Sequence, residues 1–373
     1  MKKDWEVKTL GEVCEMYQPK TISTKEMVEN GAYFVFGANG IIGKYDKYNH
    51  EESQLLITCR GATCGSVNIS EPKSWINGNA MVVRPKDYSI DLKFLEYLFR
   101  GGIDLSKAIT GAAQPQITRQ SLIPIEITFP KSLPEQKRIV SLLDKCSTAI
   151  DKAKVNAERN LKNTKELFEN YLQGVFGNGK WEKKKLNELA KHSLGKMLDK
   201  NKNKGVLKKY LRNLNVRWFG FDLSDMNEMP FLENEKEKYT AIKGDVLICE
   251  GGYPGRAAIW EENYPIYFQK AVHRVRFDKH EYNRWFLYYL FILDRTGKLK
   301  DHFTGTGIQH FTGQALGKLT IPIPPSNMIK TIINQIDTLR SQTQKLETVY
   351  NKKMSDLEEL KKSILQEAFR GQI

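Results

Sequence analysis

Two glycine-containing stretches carry side chains that could form paired hydrogen bonds with DNA bases. Arg60 follows the apolar run LLIT, and Arg256 follows the run VLIC after a short glycine loop. A buried strand that feeds a glycine loop would place these side chains at a strand end. In the major groove, arginine pairs with guanine, and asparagine or glutamine pairs with adenine. The two stretches therefore indicate two sites with the chemistry of base recognition.

The candidate DNA-contacting residues are polar side chains on these loops and on nearby strand edges. In the first half of the chain they are Arg60, Arg84, Gln114 and Gln116, with Lys44 and Lys47 placed on phosphates. In the second half they are Arg212, Asn213, Asn215, Arg217, Tyr253, Arg256, Lys270, His273, Arg274, Gln309 and His310. For each residue the alternative is an ordinary solvated or capping side chain.

The composition favours a polyanionic partner. The 373 residues carry a formal charge of +14, which suits nucleic acid or an acidic membrane surface. No apolar run is long enough to span a membrane, and the start MKKDWEVK has no signal-peptide core, so we expect a cytoplasmic protein without membrane contact. The five cysteines are irregularly spaced, and no metal-ligand pattern is present, so we expect reduced thiols and no metal.

The sequence contains an internal repeat. WEVKTLGEV from Trp5 returns as WEKKKLNEL from Trp181, and TGAAQPQIT from Thr110 corresponds to TGTGIQHFT from Thr304. Each half also contains an amphipathic FLxYLF helix, at Phe94 and at Phe286, and ends in an apolar strand rich in proline. A fixed order of motifs that occurs twice predicts two globular domains built on one frame.

A long helix is predicted after each globular domain. Ser132 and Glu135 form a capping-box start, and an apolar seam at three- and four-residue steps then runs to Phe176; Ser326 can cap a second such helix that continues almost to the C-terminus. Seam residues could pair the helices with each other or with helices of another chain. The candidate partner-binding residues are Glu135, Gln136, Ile139, Leu143, Ile150, Phe168, Ile332, Ile336, Leu339, Leu346, Leu357 and Phe369.

These signals predict four consecutive segments. Residues 1–131 form a first globular domain, 132–178 a central helix, 179–325 a second globular domain, and 326–373 a C-terminal helix. The predicted fold class is α+β: two repeated mixed domains separated by two long helices packed as an antiparallel coiled coil. If the helices are antiparallel, the chain is pseudo-twofold and circular, with Met1 near Ile373.

The order of these motifs resembles that of the specificity subunit of Type I restriction-modification enzymes. The strings that carry the resemblance are GANGIIGKYDKY, TGAAQPQIT, LPEQKRIV, KYLRNLN, KGDVLICEGGYPGRAAIW and LQEAFRG. The entry of the second helix, PPSNMIKTI, departs from it by lacking the Glu-Gln pair found at 135–136. The resemblance covers essentially the whole chain.

The resemblance implies a non-catalytic subunit with two target-recognition domains. Such a subunit binds double-stranded DNA at a bipartite asymmetric sequence. It recruits two adenine-N6 methyltransferase subunits, and restriction subunits in the cleaving assembly. It would bind no cofactor itself, because S-adenosylmethionine belongs to the partner methyltransferase.

Two other interpretations remain. Phe303–Gly307 fits the F-x-G-x-G loop of methyltransferases, but the preceding run GKLKDHF is too polar for the buried strand that normally leads into it, and Ile323–Ser326 only partly matches an acceptor motif. We therefore interpret the first as a turn and the second as a strand end followed by a helix cap, and no nuclease motif is evident. A cytoplasmic coiled-coil adaptor that binds proteins through its globular ends also fits the pattern, and salt-dependent DNA binding would distinguish it.

Overall fold

The chain folds into two compact units that do not coincide with single stretches of sequence. The computed structural model describes residues 4–111, 114–177, 181–199 and 203–373. Unit 1 comprises Met1–Glu158 with Asn351–Ile373, and unit 2 comprises Arg159–Tyr350. Each unit therefore contains one globular part and one portion of each long helix. The segment boundaries predicted from the sequence stay a prediction.

The globular part of unit 1 contains three small sheets. Its strands are β1 (Trp5–Thr9), β2 (Cys14–Tyr17), β3 (Tyr33–Gly37), β4 (Gly40–Tyr45), β5 (Leu55–Thr58), β6 (Val67–Ile69), β7 (Trp75–Ile76), β8 (Ala80–Pro85) and β9 (Glu126–Pro130). Its helices are α1 (Leu10–Val13), α2 (Leu92–Tyr97), α3 (Arg119–Leu122) and the start of α4 (Leu133–Gly177). The sheet orders are β1-β9, β2-β8-β5-β6 and β4-β3-β7. Only the β3–β7 pair is parallel among the strand pairs described in this unit.

Unit 2 repeats this topology with an additional hairpin and an additional edge strand. Its strands are β10 (Glu182–Lys185), β11 (Ala190–Leu194), β12 (Val206–Leu211), β13 (Val216–Arg217), β14 (Gly220–Phe221), β15 (Asn227–Phe231), β16 (Thr240–Ala241), β17 (Val246–Cys249), β18 (Ala257–Ile259), β19 (Ile266–Phe268), β20 (Val272–Phe277) and β21 (Thr320–Ile323). Its helices are α5 (Lys236–Tyr239), α6 (Glu281–Arg295), α7 (Gly313–Lys318) and the start of α8 (Ser326–Phe369). The sheets run β10-β21, β11-β20-β17-β18, β15-β12-β19-β16 and β13-β14, and β12–β19 is again parallel. The additional hairpin is β13–β14, and the additional edge strand is β16.

The apolar runs LLIT and VLIC form the central strands β5 and β17, as predicted. Leu55 and Ile57 face the main core of unit 1, whereas Leu56 faces a second core on the opposite side of the sheet. The same alternation places Val246 in one core of unit 2 and Leu247 in another. Because a strand buried on both faces has no solvent-exposed side, it needs no polar residues at alternate positions, which explains the unbroken apolar runs.

The two long helices pack side by side within each unit. In unit 1, Asp151 of α4 binds Lys361 of α8 at 2.9 Å, and the Arg138 guanidinium donates to the Ile373 carbonyl at 3.0 Å. From the first contact to the second, the residue number falls on α4 and rises at the C-terminal end of the chain, so the two helices run antiparallel in this unit. In unit 2, Phe168 of α4 and Ile336 of α8 share one apolar cluster. The predicted fold class of α+β with long paired helices is confirmed.

Some helix predictions need correction. Ser326 is the first residue of α8 rather than the residue preceding it, and the Pro325 carbonyl accepts from the Met328 amide. Leu346 and Leu360 lie on the predicted seam but are 41% and 47% exposed. A seam of 3.5-residue period drifts by about 20° per heptad around a straight helix, which accounts for apolar seam positions that turn outward.

The circular arrangement stays a prediction, because it concerns how one unit sits against the other. Met1 and the predicted chain break at residues 178–179 lie outside the described residues. Within the parts of the chain that are described, no helix is long and apolar enough to cross a membrane.

Candidate nucleic-acid interface

The glycine loop after the central strand, residues 59–65 in unit 1 and 250–255 in unit 2, is held by the same backbone hydrogen bonds in both units. In unit 1 the Gly65 amide donates to the Thr58 carbonyl, and in unit 2 the Gly255 amide donates to the Cys249 carbonyl, each at 2.9 Å. Gly65 and Gly255 have φ values of 89° and 85°, which side chains other than glycine rarely adopt. The loop shape is therefore set by backbone contacts rather than by the side chains it displays.

A second loop packs against the glycine loop in each unit. Thr110 and Gln116 exchange two backbone hydrogen bonds, and Thr304 and His310 do the same, at 2.8 or 2.9 Å. The residue that follows this pair connects the loop to the glycine loop: the Ile117 amide donates to the Cys59 carbonyl, and the Phe311 amide donates to the Glu250 carbonyl, both at 2.8 Å. We name these the TG loops, residues 110–116 and 304–310. Ala112 and Ala113 lie outside the described residues.

A third segment, at the end of β3 or β12, completes each site. The Ala38 carbonyl accepts from the Thr58 hydroxyl, and the Asn213 carbonyl accepts from the Cys249 thiol at 3.5 Å. Because β3–β7 and β12–β19 have matching registers, Ala38 and Asn213 occupy equivalent positions. Three loops thus meet at the same place in both units, and each loop offers exposed side chains.

In unit 1 the structure brings Arg60 and Gln116 together. They form a backbone bridge between the glycine loop and the TG loop, and Arg60 is exposed. Sequence reasoning missed Asn39 and Thr63, whose side chains bind each other at 2.7 Å across the site. The GANG string marks a turn at Asn39 but does not show that the turn touches the glycine loop.

The remaining candidates of unit 1 are less tightly grouped. Gln114 is exposed in the TG loop, while Lys44 lies on β4 and Lys47 just beyond it, both exposed. Arg84 lies on β8, where it binds Glu15 of β2 at 2.7 Å and covers the Tyr17 ring. Its guanidinium is therefore already paired within the sheet.

In unit 2, the exposed candidates surround the glycine loop. Tyr253 is 41% exposed within that loop, and its hydroxyl donates to Asp294 at 3.2 Å. Gln309 and His310 are exposed on the TG loop, and Lys270 is exposed between β19 and β20. A Cβ added to Gly251 would lie 3.1 Å from the His310 ring, which shows how closely the TG loop approaches.

Four further candidates of unit 2 take part in contacts within the site. The Asn213 amide donates to the Gly251 carbonyl at 3.1 Å, and Arg256 donates to the Asn213 carbonyl at 2.9 Å. Arg212 is paired with Asp225 at 2.7 Å and Arg217 with Asp222 at 3.3 Å. Each arginine is thus held by a carboxylate through one terminal nitrogen; the Arg217 side chain remains 48% exposed, whereas that of Arg212 is 16% exposed.

Two candidates lie inside unit 2 rather than on its surface, and a third is only partly exposed. Asn215 is 3% exposed, and its amide donates to the carbonyls of Asp222 and Asp225. His273 is 1% exposed with Nε2 bonded to the Phe311 carbonyl at 3.0 Å, and burial lowers its pKa to about 4. Arg274 donates to the carbonyls of Glu237 and Thr240. Asn215 and His273 support the loops, because both are buried and already hydrogen-bonded, whereas Arg274 is partly exposed and bonded outside the three loops.

The candidate partner-binding residues are mostly buried in their own units. Gln136, Ile139, Leu143, Ile150, Phe168, Ile336 and Phe369 are each at most 9% exposed. Gln136 joins α4 to the globular part of unit 1, and Phe369 packs edge-on against Phe94 at 5.4 Å. These side chains stabilise the helix pairs themselves. Glu135 binds Arg138, Leu346 is exposed, and Ile332, Leu339 and Leu357 are partly exposed.

The structure also locates the motifs considered for other chemistry. The polar run before Phe303–Gly307 is a 3-10 helix, Lys298–His302, and not a buried strand. Cys14, Cys59, Cys64, Cys146 and Cys249 are all free thiols. No group of three metal-ligating side chains occurs in the parts of the chain that the structure describes.

Comparison with known families identifies the duplicated frame. The profile of the Type I restriction modification DNA specificity domain matches residues 2–159 and again residues 178–354. The chain belongs to this family. The two matches coincide with the two copies of the three-loop site.

Individual relatives agree with the family match. A putative type I restriction enzyme specificity subunit of Haemophilus influenzae is 24% identical over 82% of this chain and 80% of its own length. The specificity subunit of the EcoKI type I restriction enzyme of Escherichia coli is 24% identical over 72% of this chain and 62% of its own.

Solved structures share the fold. A chain of a type I R-M system superposes with a TM-score of 0.78 at 17% identity, covering 100% of this chain and 99% of that one. The HsdS subunit from Thermoanaerobacter tengcongensis gives 0.60 at 19% identity, covering 100% and 98%. At these identities the likeness shows a common fold along the whole chain.

Proposed function

We propose that this protein reads a bipartite, asymmetric DNA sequence, with one half-site recognised by each unit. The observation that carries the proposal is the duplicated three-loop site. Its backbone hydrogen bonds are equivalent in the two units, whereas the displayed side chains differ: Arg60 stands where unit 2 has Gly251. Two similar frames with different donors should prefer different bases, so the whole target should not be a palindrome.

The proposal includes the partners of the chain. The chain would bind two adenine-N6 methyltransferase subunits, together with restriction subunits in the cleaving assembly. It would contribute no catalytic residue. S-adenosylmethionine would be bound by the methyltransferase subunits. The likeness to specificity subunits supports this assignment, as does the 3-10 helix where a cofactor loop would need a preceding strand.

The test is expression of the chain with its methyltransferase subunit in a host that lacks DNA methylation. Sequencing of the host DNA should reveal modified adenines at one sequence with two specified parts and an unspecified spacer. The purified chain alone should neither methylate nor cut DNA. Methyl transfer by the chain alone, or modification without a bipartite sequence, would refute the proposal.

Domain exchange tests the assignment of half-sites. Replacing residues 1–131 by the corresponding domain of a relative should change one half-site and leave the other as it was. A change in both half-sites would contradict independent recognition by the two units.

The alternative of a protein-binding adaptor makes a different prediction. Because several phosphate contacts release counterions, specific DNA binding by this chain should weaken steeply as the salt concentration rises. An adaptor of the same +14 charge would bind target and scrambled duplexes equally. Fluorescence anisotropy with labelled target and scrambled duplexes over a salt series separates the two functions.

A further inference from the structure

The turn of the β13–β14 hairpin has an unusual residue at its second position. Arg217 pairs with Gly220, so Trp218 and Phe219 form the two-residue turn. Phe219 has a φ of 64°, in the left-handed region where glycine or asparagine is usual. A bulky aromatic residue in this conformation is strained, and such strain persists only where surrounding contacts impose it.

The contacts that hold Phe219 come from two helices of unit 2. Its ring lies 4.9 Å from Phe291 and 5.5 Å from Tyr288, both on α6, measured between ring centroids. The Arg340 guanidinium of α8 lies 4.0 Å from the centroid of the same ring. Trp218 adds an edge-on contact with Phe291 at 5.2 Å. The turn is thereby inserted among side chains of α6 and α8.

The other end of the same segment belongs to the candidate DNA site. Only Val216 and Arg217 separate the turn from residues 212–215, and Val216 is fully buried. The Asn215 side chain accepts from the Arg212 amide at 2.9 Å, and Asn213 donates to the glycine loop. A displacement of the hairpin would therefore be transmitted directly to residues 212–215.

The corresponding part of unit 1 is built differently. There the β3 strand continues into the β3–β4 hairpin, and its rings pack within the globular part: Tyr45 against Trp75 at 5.3 Å and Tyr33 against Tyr48 at 4.9 Å. The aromatic connection to the long helix is a feature of the second site.

We propose that the Trp218-Phe219 turn is a positioning element that couples helices α6 and α8 to residues 212–215, so that discrimination at the second half-site depends on it. The inference rests on the proposed function, because it assumes that this segment contributes to base recognition through Asn213, with the buried Asn215 holding its turn. Trp218 and Phe219 need not contact DNA themselves. Their effect would be on the placement of side chains such as Asn213.

The experiment uses the complex of the full chain with its methyltransferase subunit. Phe219→Gly removes the ring while keeping a residue that adopts the left-handed conformation without strain, and Phe219→Tyr retains the ring. Lys73→Gly, at an exposed position of unit 1 with a φ of 50°, is the control for relief of backbone strain alone. Initial methylation rates are measured on duplexes with single-base changes in each half-site, after domain exchange has assigned the half-sites.

Phe219→Gly removes the ring contacts with Phe291, Tyr288 and Arg340. It should reduce discrimination at the second half-site by at least about tenfold, the upper end of the scale for a single aromatic contact, with the first half-site unchanged. Phe219→Tyr should restore most of it. Arg340→Gln should act in the same direction. Adding it to Phe219→Gly should cause little further loss, because the contact between Arg340 and the Phe219 ring is already absent from Phe219→Gly. Lys73→Gly should leave both half-sites unchanged.

Several outcomes would overturn the inference. They are unchanged discrimination in Phe219→Gly, equal loss at both half-sites, or additive effects of the two substitutions. If Phe219→Gly does not fold, Arg340→Gln serves as the test by itself. Unchanged discrimination at the second half-site in Arg340→Gln would then contradict the coupling. Absence of bipartite methylation by the wild-type complex would instead contradict the proposed function, so the two failures are distinguishable.

Discussion

Replacing Gln136 by methionine should destabilise unit 1 by about 3 kcal/mol. This glutamine lies in the first turn of α4 and is completely buried. Its side-chain oxygen accepts from the Asp91 amide at 2.8 Å, and its nitrogen donates to the carbonyls of Ser89 and Pro130 at 2.9 and 2.8 Å. One side chain therefore satisfies three backbone groups that methionine cannot serve, one in a buried contact and two in part-buried contacts.

The magnitude follows from the groups left unpaired. A buried donor or acceptor without a partner costs about 1–3 kcal/mol, and the lower end of that range applies where the backbone can relax. Methionine has a similar volume, so the loss of packing should be small. A change of about 3 kcal/mol alters the equilibrium between open and closed forms by a factor of about 150.

Thiol labelling measures the two units separately. Burial raises the pKa of Cys14 in unit 1 to about 12 and that of Cys249 in unit 2 to about 11, so both should react only after local opening. In the Gln136→Met variant, Cys14 should react about 150-fold faster, while Cys249 should keep its wild-type rate. Gln366→Met, at an exposed position of α8 in unit 1, should change neither rate by more than a factor of about two.

The reasoning fails if Cys14 labelling accelerates less than about fivefold, roughly 1 kcal/mol, since the three hydrogen bonds would then be dispensable. Equal acceleration at Cys249 would also contradict it, because the contacts of Gln136 lie within unit 1. Gln136→Glu provides a second check. The carboxylate can accept from Asp91 but cannot donate to either carbonyl, so the destabilisation should be at least as large.

Three further predictions concern unit 2 and the DNA interface. Ala271 has a φ of 85°, so Ala271→Gly should stabilise unit 2 by about 0.5–1 kcal/mol and slow the labelling of Cys249. Burial lowers the pKa of His273 to about 4, so between about pH 6.5 and pH 4 the unfolded state binds a proton that the folded state does not. The free energy of unfolding should therefore fall as the pH drops through this range, and His273→Gln should flatten that part of its pH profile, measured by urea unfolding. His192, whose pKa burial also lowers, should leave a residual slope. Replacing Lys44 and Lys47 by glutamine should reduce the slope of log K against log salt concentration by about 2 if both contact phosphates, and an unchanged slope would remove them from the interface.

The fold was largely predictable from the sequence because its signals are local and occur twice. The runs LLIT and VLIC, the FLxYLF helices and the long seams each specify an element without reference to the rest of the chain. The duplication then fixes their order. The pairing of β3 with β7, and the extra β13–β14 hairpin, could not be read in this way, since short strands such as Val216–Arg217 have no periodicity of their own.

The sequence indicated the loops that carry the candidate site, and the structure brings those loops together, but the sequence did not show which side chains are exposed on them. His273 and Arg274 were chosen because β20 alternates basic and apolar residues, which is typical of a half-exposed strand. In the structure β20 lies between β11 and β17. His273 is 1% exposed, and Arg274 is only partly exposed and bonded to the carbonyls of Glu237 and Thr240. Asn215 and Arg212 read as recognition residues by type, but Asn215 builds the turn and Arg212 already has Asp225 as its partner. Burial and pairing depend on distant segments, which a local pattern does not contain.

The backbone construction of the three-loop site has a consequence for how specificity can evolve. Hydrogen bonds between main-chain atoms hold the glycine loop and the TG loop in both units, so exposed positions such as Arg60, Thr63 and Gln309 bear little of the folding free energy. Substitutions there can alter what is bound at small risk to the fold. A lineage could therefore move between DNA targets through a series of folded intermediates, and a library randomised at these positions should consist mainly of soluble, folded variants.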